Sequence, residues 1–190
     1  MPLILFNKPY QVMCQFSPHA TRETLAKYVD IPDIYPAGRL DADSEGLLLL
    51  TDDGHLQHQI SHPLHKQPKT YLVQVEGIPD QSILNRLSAP LDLGDFITKQ
   101  CKVKHVHAPE WLWPRNPPIR HRTDAPTSWL AITISEGKNR QIRRMTASVG
   151  LPTLRLVRIS IGPFSLENNP LWPGEWCEVS PAKLEADTQN

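Results

Sequence analysis

Cysteine is scarce in this chain. Its 190 residues hold only Cys14, Cys101 and Cys177, which are far apart and odd in number. They form neither a CxxC pair nor a disulfide framework. That sets aside a disulfide-stapled secreted domain and fits a reducing compartment. Long apolar runs are also missing, and no stretch approaches the roughly 20 apolar residues of a membrane helix. The apolar start, Met1 to Phe6, gives way at once to Asn7 and Lys8. A secretory signal has the reverse order, so the chain reads as cytoplasmic, with no membrane partner. Charge of one sign is the third absence, since 20 basic residues balance 20 acidic ones. Taken alone, that balance argues against nucleic acid, whose binders usually have a basic excess.

The zero is an average over an uneven distribution. Leu40 to His65 holds five acids and no Lys or Arg. Gly137 to Leu166 holds six bases (Lys138, Arg140, Arg143, Arg144, Arg155, Arg158) and no acid. Such a layout supports a basic face even when the total cancels. Apolar residues make up 39% and charged residues 21%, ordinary values for a globular protein. The length suits one large domain or two small lobes.

Leu3 to Phe6 reads as a short buried strand, and Thr21 to Val29 has helical composition. Gly46 to Thr51 is a continuous apolar run that suits a strand buried on both faces, though periodicity alone leaves a helix open. Asp52 or Asp53 is placed to cap a helix over His55 to Ser61, which Pro63 ends. Tyr71 to Glu76 alternates as a strand does. A helix from near Asp80 follows, with Ile83, Leu84 and Leu87 on its buried side. Cys101 to His107 and Trp129 to Ser135 read as strands, Lys138 to Val149 as a helix stopped by Gly150 and Pro152, and Leu154 to Ile161 as a last long strand. Strands come in runs rather than in strict βα alternation, which predicts an α+β fold with a mixed, largely antiparallel sheet flanked by helices. Residues 109–126, with five prolines and two tryptophans, read as an exposed loop. The chain from residue 183 to 190 reads as a frayed polar tail.

Two segments look chemical. Gly38-Arg39-Leu40-Asp41-Ala42-Asp43-Ser44-Glu45-Gly46 sets a carboxylate and a guanidinium just ahead of the buried run. The bland alternative is a solvated charged turn. In Glu136-Gly137-Lys138-Asn139-Arg140-Gln141-Ile142-Arg143-Arg144-Met145, helical spacing puts Ile142, Met145 and Val149 on one side and Arg140, Arg143 and Arg144 on the other. Three guanidinium groups together can engage phosphates or hold a carboxylate. The bland alternative is a solvated basic face.

In this order, the two segments resemble the catalytic signature of the RsuA-type rRNA pseudouridine synthases. So do Lys8-Pro9 after the first strand, His62-Pro63 followed by Lys69-Thr70-Tyr71, and Leu156-Val157-Arg158-Ile159-Ser160-Ile161-Gly162. The resemblance covers residues 2–182, which would form one catalytic domain. It implies that Asp41 is the essential aspartate, Tyr71 the ring that stacks on the target uracil, and Arg143 the base paired with Asp41. It places Arg39 in the gap left by the extruded base and Ile142 beside the site, with Lys8 and Lys69 on the substrate side. Arg140, Arg144 and Arg158 would track phosphates, joined by Lys138 and Arg155. Many members have an added N-terminal module of the S4 type, whereas this chain starts at the catalytic domain's first strand, so no S4 domain is expected. The loop at 109–126 is longer than the family leads one to expect. It offers Trp111, Trp113, Arg115, Arg120 and Arg122 as a second RNA contact.

The implied reaction breaks the N1–C1′ bond of a uridine, turns the uracil and joins C5 to C1′. As an isomerisation it calls for no cofactor and no metal. An ionised carboxylate suits attack on the sugar, attack on the base, or glycal elimination, and a guanidinium a few Å away favours that charged form. The implied partner is ribosomal RNA of the large-subunit, 23S type, acted on by a monomer. A metal site is the first competing reading, because His55, His58, His62 and His65 are spaced by 3, 4 and 3; Pro63 interrupts that helix. A non-catalytic RNA-binding ribosome-assembly factor is the second. Such a protein could dispense with the aspartate, tyrosine and arginine, and all three are present.

Overall fold

The apolar run at Gly46–Thr51 is strand β3 (Glu45–Thr51), buried at every residue. A strand covered on one face alternates, whereas one covered on both has no polar side to show. The computed structural model describes residues 2–62, 64, 67–120 and 122–186. It divides into two compact units, Met1–Gln67 with Arg158–Asn190, and Pro68–Val157.

In the first unit, β1 (Leu3–Lys8) lies antiparallel to β3, with Leu3 opposite Thr51 and Lys8 opposite Gly46. The other edge of β1 takes β9 (Trp176–Val179), also antiparallel. Strand β2 (Tyr35–Ala37) pairs with the far end of β3. Strand β7 (Thr153–Ile161) enters the unit at Arg158, lies beside β3 and turns back through β8 (Phe164–Ser165). Ile4 and Phe6 pack with Leu48 and Leu50 against Val12, Cys14, Leu25, Val29 and Ile34. Leu3, Leu5, Leu47 and Leu49, on the opposite parity, are equally closed to solvent. Each such side chain contributes roughly 1.5–3 kcal/mol on leaving water.

Helix α1 (Gly54–Ser61) begins where the sequence places it. The Asp53 carboxylate accepts from His55 N at 2.9 Å and Leu56 N at 3.4 Å, and Leu56 and Ile60, one turn apart, go inward. The expected stop at Pro63 lies outside the described residues. Over Thr21–Val29 the expected helix is only a 3-10 turn, Leu25–Lys27. Its backbone groups are used elsewhere: Met13 N donates to Glu23 O and Leu25 N to Gln15 O, so an i→i−4 ladder cannot form there. The expected tail is ordered at its start. Helix α4 (Ala182–Ala186) buries Leu184, and residues 187–190 lie outside the description.

In the second unit, β6 (Thr127–Ile134) runs between β4 (Lys69–Glu76) and β5 (Lys102–Val106), antiparallel to both. The first part of β7 lies next to β4. Along β6, Ser128, Leu130, Ile132 and Ile134 are buried and the residues between them half-buried, the period of two of a sheet with one covered face. Helix α2 (Gln81–Ser88) is capped by Asp80, whose Oδ1 accepts from Ile83 N at 2.8 Å. Leu87 is its buried anchor; Ile83 and Leu84 stay half-buried. Helix α3 (Gln141–Ser148) starts later than the charge pattern predicts, because Arg140 is left-handed at φ 52°. The Gln141 Oε1 accepts from Lys138 N at 3.1 Å and stands in for a cap. The fold is α+β, and every strand pair whose register is described is antiparallel. Among the described residues no helix is long and apolar enough to cross a membrane.

Candidate active site

Residues 38–44 form the connection from β2 to β3, in the first unit. Gly38 turns the chain at φ +83°, and Ser44 N closes a turn onto Asp41 O at 3.1 Å. Leu40 points inward, while Arg39 and Asp41 on either side of it are exposed. The turn thus displays its carboxylate and guanidinium and fixes its backbone from below. Arg39 Nη2 donates to Cys14 O at 3.4 Å.

Two buried cations provide that support. Lys8 has no exposed surface. Its Nζ donates to Pro9 O at 2.9 Å, Val12 O at 2.8 Å and Ala42 O at 3.4 Å. Burial pulls Lys8 down to about 8, against the upward pull of Cys14, Glu45, Asp43 and Asp41. Arg158 is 2% exposed. Its Nε donates to Leu47 O at 2.8 Å and its Nη1 to Arg39 O at 3.4 Å. Lys8 and Arg158 are expected from the sequence to meet substrate. Both are instead buried, and both side chains are spent on backbone carbonyls of the turn and its neighbours. Strand parity could have shown this for Lys8, which follows Ile4 and Phe6 on the core face of β1.

The second unit holds the other predicted residues. Tyr71 lies on β4 opposite Ile132 and is nearly buried. Lys69, at the start of β4, is half-buried, and its Nζ lies 4.0 Å from where a Cβ on Gly137 would sit. Helix α3 opens with Gln141, whose Nε2 donates to Glu136 Oε1 at 2.9 Å; the same oxygen accepts from Lys99 N at 2.9 Å. Its first turn carries Ile142, which is buried, and Arg143, which is half-buried. Ile142, expected to touch substrate, is buried like Tyr71.

The predicted basic face of α3 is divided. Arg140 precedes the helix and is exposed. Arg144 forks onto the Asp95 carboxylate, donates to Leu93 O at 3.0 Å and lies over the Phe96 ring at 5.2 Å. That bond holds the Asp95 carboxyl below its usual range. Arg144 therefore fastens the 92–98 loop.

The loop expected at 109–126 is largely its own scaffold. Trp113 is 5% exposed. Its carbonyl accepts from Arg155 Nη2 at 2.8 Å, and the Arg155 guanidinium lies 5.8 Å from the Trp113 ring and 6.0 Å from that of Trp129. Arg155 is thereby removed from the phosphate-tracking set. Arg115 donates to Pro117 O, Pro118 O and Leu154 O, and Arg122 pairs with Glu76 at 2.9 Å. Of the five residues offered as RNA contacts, Trp111, Arg120 and Arg122 remain on the surface, Arg122 in its exposed pair with Glu76.

The His58 and His62 rings lie 4.5 Å apart in a tilted stack, and His65 lies outside the described residues. Among the described residues, no group of three or more His, Cys, Asp or Glu is placed to hold a metal ion.

The family model described as RNA pseudouridylate synthase matches residues 2–148. That span includes Asp41, Tyr71 and Arg143. The chain belongs to the RNA pseudouridylate synthase family and is an enzyme of that family, an isomerase. It is 56% identical over 176 residues to a ribosomal large subunit pseudouridine synthase E of Xanthomonas campestris pv. campestris, covering 92% of this chain and 93% of that one. The synthase of the same description from Vibrio parahaemolyticus is 52% identical, over 93% of this chain and 73% of the other. A solved structure described as a pseudouridylate synthase superposes with a TM-score of 0.78 at 28% identity, covering 97% of this chain and 72% of that chain.

Proposed function

We propose that this enzyme converts a uridine of large-subunit ribosomal RNA into pseudouridine, with Asp41 as the group that acts on the nucleoside. The likeness to the large-subunit synthases over nearly the whole of this chain carries this reading. The exposure of Asp41 on a turn braced from beneath agrees with it. The same reading has the protein act in the cytoplasm, as a monomer, on 23S-type RNA.

In the reaction, the N1–C1′ bond breaks and the uracil turns within the site. C5 then bonds to C1′, the C5 proton leaves to solvent and N1 takes up a proton. Atoms and electrons balance with no co-reactant. An extruded base costs a few kcal/mol of lost stacking. Tyr71 recovers part of that through ring contact, and Arg39, exposed beside Asp41, takes the space left in the RNA. Arg143 balances the carboxylate charge. Lys69 and Arg140 meet the RNA backbone.

The experiment is Asp41→Asn, which keeps shape and removes the charge. Tritium release from RNA labelled at uridine C5 should vanish while RNA affinity stays within a few-fold of the unaltered protein. Sequencing of pseudouridine in rRNA from cells with and without the protein names the site. Turnover by a verified Asn variant would end the assignment of Asp41.

A further inference from the structure

We propose that Arg158 is a positioning residue that sets the Asp41 turn for reaction; this rests on the reading of Asp41 given above. Its guanidinium spans the turn. Nη1 holds Arg39 O at 3.4 Å on one side, and Nε holds Leu47 O at 2.8 Å on the other. The main chain of Arg158 does the same work from below. Gly46 packs so closely against it that a Cβ there would lie 2.2 Å from Arg158 O. Lys8 fixes the middle of the turn through Ala42 O, which also accepts from Gln11 N at 2.7 Å. The backbone is thus held at residues 39, 42 and 47, while the side chains of Arg39 and Asp41 stay exposed.

Stability alone does not explain an arginine here. Its Nη2 is buried with no hydrogen-bond partner among the described residues, a loss on the order of 1–3 kcal/mol. An apolar side chain of similar volume would avoid that cost, and such replacements of buried charges are often neutral or stabilising. What an apolar residue cannot do is grip two carbonyls at once. Lysine cannot reproduce the grip either, because an ammonium is a point donor and a guanidinium a rigid fork. A group acting on a nucleoside carbon must be held closely, and a misplacement of about 1 Å costs on the order of 100-fold in rate.

The test is Arg158→Lys in the full chain. Single-turnover rates are measured at saturating RNA carrying C5-tritiated uridine, and affinity by filter binding. The expected result is a rate lower by about 100-fold, with an RNA Kd within about threefold of the unaltered protein. A folded Arg158→Lys protein with a rate within threefold of normal would overturn the inference. So would a Kd raised tenfold with the saturated rate intact, which is the signature of a phosphate contact. Should Arg158→Lys fail to fold, the unaltered protein labelled with nitrogen-15 arginine decides the matter. An Arg158 Nε–H protected from exchange and unshifted by RNA supports positioning, and one that exchanges freely or shifts with RNA refutes it. Asp41→Asn is assayed alongside. Turnover by that variant removes the reading of Asp41 together with this inference. An inactive Asp41→Asn beside a fully active Arg158→Lys removes only the role of Arg158.

Discussion

Replacing Gly46 with alanine tests the packing beneath the turn. Gly46 has φ +109°, and a Cβ built on it would lie 2.2 Å from Arg158 O, 2.9 Å from Arg158 N and 3.0 Å from Arg158 C. All three are backbone atoms, so no side-chain rotation relieves the overlap. The β3 and β7 backbones must part by roughly 1 Å in a close-packed interior. The positive φ costs about 1–3 kcal/mol for a residue with a Cβ. Overpacking adds about 1–3 kcal/mol, and a ladder hydrogen bond stretched or lost adds about 1 kcal/mol. The expected loss is about 3–7 kcal/mol, a large share of the ~5–15 kcal/mol that holds a domain folded. Urea unfolding followed by circular dichroism measures it. With a slope of about 2 kcal/mol per molar, the midpoint should fall by about 1.5–3.5 M. Gly54→Ala is the control. Gly54 opens α1 with nothing within 4 Å of an added Cβ, and the exchange should be neutral or stabilise by up to about 1 kcal/mol. A Gly46→Ala protein within about 1 kcal/mol of the unaltered chain would refute the argument, because relaxation would then have cost almost nothing.

Lys8→Met should change how stability depends on pH. Burial lowers Lys8 from 10.5 to about 8. Between those values the unfolded chain binds a proton that the folded chain does not, so stability rises with pH by ~1.4 kcal/mol per unit, about 3 kcal/mol across the window. The variant should lose that rise, and unfolding curves that run parallel for both proteins from pH 8 to 10.5 would contradict it. Trp113→Ala should cost about 3–5 kcal/mol, as for a buried aromatic in any core, whereas Trp111→Ala should stay within about 1 kcal/mol. Equal losses at the two positions in thermal unfolding would refute the division of the loop into anchor and surface.

How far each feature could be read from sequence depended on whether local or distant residues decided it. The Asp53 cap and the Leu47–Leu50 strand depend on residues a few positions away, and both were legible. The expected helix at Thr21–Val29 failed because Gln15 O and Met13 N, on another segment, take its backbone groups. Strand β9 was missed altogether. It is a short, half-exposed edge whose partner is β1, at the other end of the chain. At the candidate site, motif resemblance picked out residues but not the way they face. Arg144 and Arg158 read as phosphate ligands, and Lys8 as a substrate residue, because they are basic and lie in the matched segments. Their side chains instead hold Ala42, Asp95, Arg39 and Leu47, partners that only the folded chain brings near.

The first unit is assembled from the two ends of the chain, and this fixes an order during synthesis. Residues 68–157 leave the ribosome as one continuous piece and contain all of the second unit. Asp41 emerges early, but the arginine that grips its turn follows 119 residues after Arg39, and β9, which covers the free edge of β1, comes later still. A nascent chain halted at Val157 already contains Asp41, Tyr71, Arg143 and the Lys8 brace but lacks the Arg158 grip on the turn. The turn that carries Asp41 is thereby braced by Arg158 only after residues 68–157 have been made, so its setting waits on the polypeptide of the whole second unit.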